Sequence, residues 1–416
     1  MTKNFTMVEL FSGIGAQAKA FSRVSKRRNV TFTTVNTCEW DIHAIVAYYL
    51  IHRKDKYIYK WDREKCIEYL EKFNLSNNGK EKANFATIAN LNLELLRLIC
   101  TAIKKTNNLI SVTDLKSTDI PDNLDVLTYS FPCQDLSNVG ALHGYNKGID
   151  RDAHSRSGLL WEVERVLKDR QRDGLDMPKF LILENVTALE ADRHKDNFSE
   201  WKNQLESFGY VNKIFKLDSL DLGIPQHRKR LLMLSVYVGS DKEKENLLNN
   251  YFEIKEHKIE DKRLPVKPLV DILKTNYDNK VYFAEALLSQ PNATPSRLKI
   301  WDDNLKIINE DNIVANNSQT ITTKQDRHPN SGNIYFDYEN NKKSKYRFLT
   351  PRECFLLMGF DESDYNKIIS NNIKSRSNAL FFSRDKMYKL AGNSIVVNVL
   401  EQIFDAIVDI DSIINN

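Results

Sequence analysis

Short apolar runs alternate with amphipathic helical patterns over roughly the first 240 residues of the chain. The runs predict strands at residues 5–11, 31–37, 124–129, 180–184, 211–217 and 231–238. The patterns between them predict helices at residues 16–24, 42–51, 159–168 and 198–208. Strands and helices in this order predict an α/β fold with a doubly wound, mostly parallel sheet and right-handed crossovers.

Two stretches depart from this alternation. Residues 52–108 form a charged, helix-prone insertion, with helical patterns at 65–73 and 86–103, and they delay a third strand that should end near Asp114. After Gly239 the chain is richer in Asn, Lys and Pro, which predicts a second, smaller domain. We therefore expect three parts: a catalytic domain over 1–238, a second domain over 239–345, and a C-terminal segment over 346–416 that returns to the first domain through helices at 349–358 and 387–407.

The apolar run at residues 124–129 is followed closely by Pro132 and Cys133. Proline cannot donate a hydrogen bond to a strand ladder, so Cys133 should open a loop beyond the carboxyl end of a buried strand. Ligands of open α/β sheets bind at that edge. From this segment alone, Cys133 is as well interpreted as a small buried hydrophobic residue.

Polar residues follow several of the other predicted strands. Gly13 and Gly15 lie between the first strand and its helix, which is a nucleotide-cofactor layout, although Ala18 breaks the full G-x-G-x-x-G pattern. Glu39 follows the second strand, where a carboxylate can accept hydrogen bonds from a ribose, or can simply be solvated. Glu184 follows the strand at 180–184.

Composition narrows the class of protein. The 416 residues are too many for one core of usual size, and no apolar run is long enough for us to expect a membrane span. The N-terminus lacks a signal-peptide core, which predicts a cytoplasmic protein. The five cysteines are scattered without a C-x-x-C pair, so we predict reduced thiols and no metal site. The net charge of +4 only weakly favours a polyanionic partner.

The polar groups at the sheet edge suit one reaction. A thiolate can add to C6 of a cytosine ring, which makes C5 nucleophilic towards a sulfonium methyl group, and a nearby carboxyl group can engage the ring nitrogen or the exocyclic amine. Free thiols have a pKa of about 8.5, so the site must stabilise the thiolate. Arg228 and Arg230 are candidates for that role. A cysteine hydrolase is the alternative, but no histidine is placed to act as its base and the glycine turn would have no role.

At this point the ordered motifs resemble those of the prokaryotic DNA (cytosine-5) methyltransferases of restriction-modification type. The matching segments are residues 8–15, 39–40, 131–134, 156–161, 184–186, 226–230, 347–353 and 391–394. The resemblance implies catalytic roles for Cys133, Glu184, Gln226, Arg228, Arg230 and Ser137. It implies cofactor-binding roles for Phe11, Gly13, Ile14, Gly15, Glu39, Trp40, Asp114, Leu115, Pro132, Leu159, Asn393 and Ser394. Asp119 is a rival of Asp114, because the insertion makes the register uncertain.

The resemblance also implies a Rossmann-like fold that uses S-adenosylmethionine, and a cytosine flipped out of duplex DNA. The polar loop after Cys133 would close on DNA, and the second domain would recognise the target, with residues 318–328 supplying DNA contacts. A monomer is expected, with a cognate restriction endonuclease as a genetic rather than physical partner. An RNA (tRNA) cytosine-5 methyltransferase of the same fold, or a non-catalytic DNA-binding relative, is the alternative.

Overall fold

The computed structural model describes residues 2–52, 57–132, 136, 149–151, 157–338, 342–376 and 379–414. The chain forms two compact units. Unit 1 consists of Met1–Leu217, Lys229–Lys262 and Leu400–Asn416, and unit 2 consists of Asp218–Arg228 and Arg263–Val399. The boundaries of these two units differ from those of the three parts expected from the sequence. The functional roles expected for the three parts stay predictions.

Unit 1 is built on a central sheet that, within the described residues, has six strands. They are β1 (Asn4–Leu10), β2 (Thr31–Cys38), β3 (Val126–Tyr129), β4 (Phe180–Asn185), β5 (Tyr210–Asp218) and β6 (Lys229–Tyr237). Their order is β2-β1-β3-β4-β6-β5. The β1–β2, β1–β3 and β3–β4 pairs are parallel and the β4–β6 pair is antiparallel. This confirms the predicted α/β fold with a mixed, mostly parallel sheet.

Helices flank this sheet. They are α1 (Ala16–Arg28), α2 (Ile42–His52), α3 (Arg63–Leu70), α4 (Phe85–Ala89), α5 (Leu93–Lys105), α6 (Leu160–Arg172), α7 (Asp192–Ser207) and α8 (Lys242–Glu253). Every residue of β3 and β4 is buried, as expected for strands covered on both faces. Phe21 of α1 lies fully inside this core, where its ring stacks on Phe32 and on Phe404 from the C-terminal part of the unit.

Two predicted elements of unit 1 differ from the structure. No strand ends at Asp114, which closes a short 3-10 turn, Val112–Asp114. Positive φ angles at Asn107 and Ile110 interrupt the extended run before it, and only an isolated parallel bridge, Thr37 to Asn108, remains. The helix predicted at 86–103 is two helices, because the side chain of Asn92 caps the start of α5.

Within its described residues, unit 2 contains short helices and two small sheets. Its helices are α9 (Leu269–Ile272), α10 (Lys280–Leu288), α11 (Pro295–Asp303), α12 (Pro351–Leu357), α13 (Glu362–Ile369) and α14 (Arg384–Gly392). Its strands are β7 (Lys306–Ile308), β8 (Asn333–Tyr335), β9 (Tyr346–Phe348), β10 (Lys374–Arg376) and β11 (Ala379–Leu380). A fully buried ion pair between Arg347 and Glu353, with N···O 2.9 Å, fixes the start of α12.

The helix predicted at residues 387–407 is also divided, because the chain leaves the helical path after Gly392 and resumes it in α15 (Val397–Ile414). Among the described residues, only the stretch Arg384–Ile414 is long and apolar enough by composition to cross a membrane. Because 72% of that window is buried inside the protein, it has the character of a core helix. It nevertheless corrects the expectation that no such stretch exists.

Candidate active site

The turn between β1 and α1 has the backbone that the glycine pattern predicts. Phe11, Gly13 and Gly15 all have positive φ angles, of 56°, 53° and 80°. A Cβ on Gly15 would lie 2.3 Å from Nε2 of His52, so a side chain is excluded there by space as well as by backbone conformation. A Cβ on Gly13 would meet no atom within 4 Å, so the outer side of this turn is open to a ligand.

Glu39 is placed directly against this turn at the end of the neighbouring strand β2. Its carboxylate accepts hydrogen bonds from the backbone N–H of Gly13 (3.0 Å), Trp40 (3.0 Å) and Asp41 (2.9 Å). Burial and then the nearby charge of Asp41 raise the pKa of Glu39 to about 7, although these hydrogen bonds oppose the shift. Two predicted cofactor residues, Gly13 and Glu39, are thus brought into contact, with Trp40 adjacent and Ile14 buried.

A second carboxylate, that of Glu9, lies inside the protein below the same turn. Glu9 is 0% exposed, and it accepts hydrogen bonds from Tyr48 Oη (2.5 Å) and Thr34 Oγ1 (3.3 Å). Burial raises the pKa of Glu9 to about 7. The sequence did not predict a role for Glu9. Its only signal there is a single acidic residue inside an apolar strand pattern.

The two rival aspartates are both engaged locally. The exposed Asp114 carboxylate accepts a hydrogen bond from Asn74 Nδ2 (3.0 Å), and the Asp119 carboxylate accepts one from the backbone N–H of Lys116 (2.8 Å). Leu115 is buried, and its carbonyl accepts a hydrogen bond from Arg165. None of these contacts joins the glycine turn, so the choice between Asp114 and Asp119 stays open.

Two side chains from the predicted motif segments 184–186 and 156–161 hold the backbone that follows β3. Asn185 Nδ2 donates to the Phe131 carbonyl (3.2 Å), and Ser157 Oγ donates to the Pro132 carbonyl (2.7 Å). Both peptide groups that precede Cys133 are therefore held in place. Cys133 and Ser137 themselves lie outside the described residues, and their roles stay predictions. Leu159, on the segment near Ser157, is half-buried.

The two candidate arginines have different surroundings. Arg230 Nε lies 3.2 Å from Oε1 of Glu184, so these two predicted catalytic residues form an ion pair at the edge of the β4–β6 ladder. Arg228 belongs to unit 2, where its guanidinium donates to the carbonyls of Ile321 (2.8 Å), Gly392 (3.2 Å) and Ser394 (2.9 Å). Cys133 lies outside the described residues, so a role in stabilising its thiolate stays a prediction for both arginines.

Three other predicted site residues also lie in unit 2. Gln226 is fully buried and donates to the Leu357 carbonyl (2.8 Å). Asn393 ends α14, and the carbonyl of Ser394 accepts the Arg228 bond. Their predicted functions stay predictions. Within the described ranges, no group of three or more His, Cys, Asp or Glu side chains is arranged to hold a metal ion.

Comparison with known proteins identifies a family. The family model described as C-5 cytosine-specific DNA methylase matches residues 77–409. The orphan methyltransferase M.SssI of Spiroplasma monobiae is 33% identical over 413 residues, covering 98% of each chain. The type II methyltransferase M2.ScrFI of Lactococcus lactis subsp. cremoris is 28% identical over 405 residues, covering 95% of this chain and 97% of the relative.

Solved structures agree on the fold. The Dnmt2 methyltransferase of S. pombe matches with a TM-score of 0.56 at 17% identity, over 98% of this chain and 99% of that chain. The Entamoeba histolytica methyltransferase EhMeth matches with a TM-score of 0.58 at 16% identity, over the same shares of the two chains. At this identity the likeness concerns the architecture alone.

Proposed function

The chain belongs to the C-5 cytosine-specific DNA methylase family, and on that premise we propose which of its residues carry out the methyl transfer, with S-adenosylmethionine as the donor. The enzyme methylates C5 of cytosine in DNA at a specific short sequence. We propose that this DNA substrate is duplex. The target base is flipped out of the helix, because C5 and C6 cannot be reached in a stacked pair. The proposals below concern the donor and the assignment of each residue.

The glycine turn and Glu39 fit a nucleoside-bearing donor. The turn is open at Gly13. The Glu39 carboxylate accepts a hydrogen bond from the Gly13 N–H at 3.0 Å, and it can accept hydrogen bonds from ribose hydroxyls instead. When bound, S-adenosylmethionine supplies an electrophilic methyl group. We assign Phe11, Ile14, Gly15 and Trp40 to the same pocket, together with the remaining cofactor residues that the sequence predicts: Asp114, Leu115, Pro132, Leu159, Asn393 and Ser394.

Cys133 is the proposed nucleophile. Its thiolate forms a bond to C6 of the cytosine, and the electron pair of the C5–C6 double bond becomes available at C5. After C5 has gained the methyl group, a base removes the C5 proton, the bond to Cys133 breaks and the thiolate is regenerated. Ser137 belongs to the loop that we propose closes over the DNA.

Glu184 and Arg230 are the proposed partners of the base. The Glu184 carboxyl group faces N3 and N4 of cytosine, where it holds the proton that stabilises charge on the ring, and Arg230 engages O2. The hydrogen bond from Asn185 to the Phe131 carbonyl carries this assignment, because it joins the strand that ends in Glu184 to the strand that leads to Cys133. The Arg230–Glu184 ion pair supports the orientation of the carboxylate.

A transfer assay tests these assignments. The purified enzyme is incubated with labelled S-adenosylmethionine and, side by side, with mixed-sequence duplex DNA or tRNA, and Cys133→Ala serves as the matched control. We expect label in duplex DNA only, and none with Cys133→Ala. Label in tRNA alone would replace the DNA substrate with RNA, and full activity of Cys133→Ala would remove the nucleophile from its role.

A further inference from the structure

The insertion between α2 and β3 contacts the segment that carries Glu39 and Trp40. Its described part, residues 57–108, contains α3, α4 and α5 and belongs to unit 1, as Glu39 does. The insertion contacts the segment 39–42 at two places, one in the loop between α3 and α4 and the other just after α5. Both places lie outside the eight motif segments that identify the family in the sequence.

Asn108, which follows α5, binds the backbone of Glu39. Its Oδ1 accepts a hydrogen bond from the N–H of Glu39 (3.0 Å), and its Nδ2 donates to the carbonyl of Glu39 (3.1 Å). Asn108 is 8% exposed, and the same Oδ1 accepts the N–H of Ile110 (2.9 Å). One side-chain amide therefore satisfies both backbone polar groups of Glu39, and removing it would leave them without this partner in a buried place.

Asn108 is held in turn against β2, an outer strand of the central sheet. The N–H of Leu109 donates to the Thr37 carbonyl (2.8 Å), and Thr37 Oγ1 donates to the carbonyl of Thr106 (3.2 Å). Asn107 has a φ of 44°, and asparagine is one of the residues that adopt this left-handed conformation at small cost. The segment 106–110 is therefore fixed beside the end of the strand from which Glu39 emerges.

Ser76 binds the same segment through its backbone. The N–H of Ser76 donates to the Trp40 carbonyl (2.8 Å), and the carbonyl of Ser76 accepts the N–H of Ile42 (3.0 Å). Ser76 is 0% exposed. Its Oγ donates to the Glu81 carbonyl (2.6 Å) and accepts the N–H of Gly79 (2.9 Å), so the hydroxyl fixes the loop that presents this backbone.

These bonds satisfy every N–H group of residues 39–42. The Glu39 N–H donates to Asn108, the next two N–H groups donate to the Glu39 carboxylate, and the Ile42 N–H donates to Ser76. The carbonyls of Glu39 and Trp40 accept from the insertion as well. The insertion therefore fixes the backbone from which the Glu39 carboxylate and the Trp40 ring extend. A binding site fixed in advance loses less entropy when its ligand binds.

The insertion has an interior of its own that can hold these contacts in place. Cys66 of α3 and Cys100 of α5 are both 0% exposed, and Cys100 Sγ donates to the Cys66 carbonyl (3.8 Å). The guanidinium of Arg63 donates to the carbonyls of Ala89 (2.8 Å) and Leu91 (3.0 Å), which joins α3 to the connection between α4 and α5. The loop at Ser76 and the turn at Asn108 thus extend from one packed substructure.

We propose that the insertion is part of the donor site, in which Asn108 and Ser76 are positioning residues that fix Glu39 and Trp40 in the geometry that binds the nucleoside part of the donor. Neither positioning residue contacts the donor itself. The proposal rests on the proposed function for the identity of the donor, and it gives the insertion a role in donor affinity.

The binding test compares Asn108→Ala with Asn92→Ala. Asn92 caps α5 within the insertion by accepting the N–H of Leu95 (2.8 Å), so both variants remove a hydrogen-bonding asparagine from the same substructure. Affinity for S-adenosylhomocysteine, the demethylated donor, is measured by calorimetry. We expect Asn108→Ala to weaken binding by at least about tenfold and Asn92→Ala by less than about twofold. Equal affinities of the two variants would overturn the positioning role.

A kinetic test separates positioning of the donor from a general structural defect. We expect Asn108→Ala to raise the KM for S-adenosylmethionine by at least about tenfold while lowering kcat by less than about threefold. A loss confined to kcat would overturn the proposal. Ser76→Ala removes only a hydroxyl, so it keeps the test valid should Asn108→Ala fail to fold. It should weaken S-adenosylhomocysteine binding by about threefold, and an affinity equal to that of Asn92→Ala would overturn the role of Ser76.

Hydrogen–deuterium exchange of the ligand-free proteins distinguishes failure of this proposal from failure of the proposed function. The Glu39 amide should exchange at least about tenfold faster in Asn108→Ala than in Asn92→Ala. That result in a wild-type protein that binds no S-adenosylhomocysteine would contradict the donor in the proposed function and leave the support of Glu39 standing. Tight binding by wild type with no difference between the two variants would contradict the positioning role alone.

Discussion

Replacing Glu9 with glutamine should make the protein more stable at alkaline pH. Glu9 is fully buried below the glycine turn, and burial raises its pKa from 4.5 to about 7. In the unfolded chain it ionises near its ordinary value, so the folded state binds a proton that the unfolded state has already released. The stability contributed by this group is therefore fully present below pH 4.5 and is lost as the pH rises through about 7.

The size of the effect follows from the shift. A pKa change of one unit corresponds to about 1.4 kcal/mol, so a rise from 4.5 to about 7 corresponds to about 3 kcal/mol between pH 4.5 and pH 8. Glu9→Gln keeps the shape of the side chain and cannot ionise. The hydroxyl groups of Tyr48 and Thr34, which donate to Glu9, can rotate to accept from the amide instead.

The assay is urea unfolding of wild type and Glu9→Gln at pH 5, 6, 7 and 8, followed by intrinsic fluorescence. The difference in free energy of unfolding should change by about 2.5 kcal/mol in favour of Glu9→Gln from pH 5 to pH 8. The exposed Glu68→Gln serves as the control and should show no such trend. Parallel pH profiles for wild type and Glu9→Gln would refute the reasoning that burial raises the pKa of Glu9 to about 7.

The remaining predictions concern the donor, the nucleophile, the base contacts and the core. Because burial raises the pKa of Glu39 to about 7, calorimetric affinity for S-adenosylmethionine should fall as the pH drops below 7 in wild type but stay flat in Glu39→Gln; a flat wild-type profile would contradict it. Cys133→Ala should lose methyl transfer but bind the donor normally in the same calorimeter, whereas lost donor binding would mean a structural role. Arg230→Ala should lower kcat by at least about tenfold with little change in the KM for the donor, and an unchanged kcat would exclude its contact with the base. Phe21→Ala should cost about 3–5 kcal/mol in urea unfolding, and a cost below about 1 kcal/mol would mean that the packing around its ring is loose.

The sequence was sufficient to predict structural features that are local or periodic. The strands and helices around the glycine turn were predicted within a few residues, because Gly13 and Gly15 mark the turn and apolar runs mark buried strands. The contact between Gly13 and Glu39 followed from the rule that parallel strands end at one edge. The failure at Asp114 is also local, since positive φ angles at Asn107 and Ile110 are not favoured by any single residue pattern.

Long-range side-chain contacts could not be predicted from the sequence. Arg228 and Arg230 are two residues apart in one motif, but they belong to different compact units and bond to different partners. Ile321, which donates a hydrogen bond to Gln226 and accepts one from Arg228, lies more than 90 positions further along the chain. Such pairings depend on how loops pack and leave no periodic signal.

The chemical identity of the product tests the central claim most directly. DNA from cells that express the wild-type protein, and from cells that express Cys133→Ala, is digested to nucleosides and analysed by mass spectrometry, and a second portion is bisulfite-sequenced. We predict 5-methylcytosine at one short recurring sequence with wild type and none with Cys133→Ala. Methylation of adenine or of the cytosine amine, or no methylation in either sample, would contradict the account.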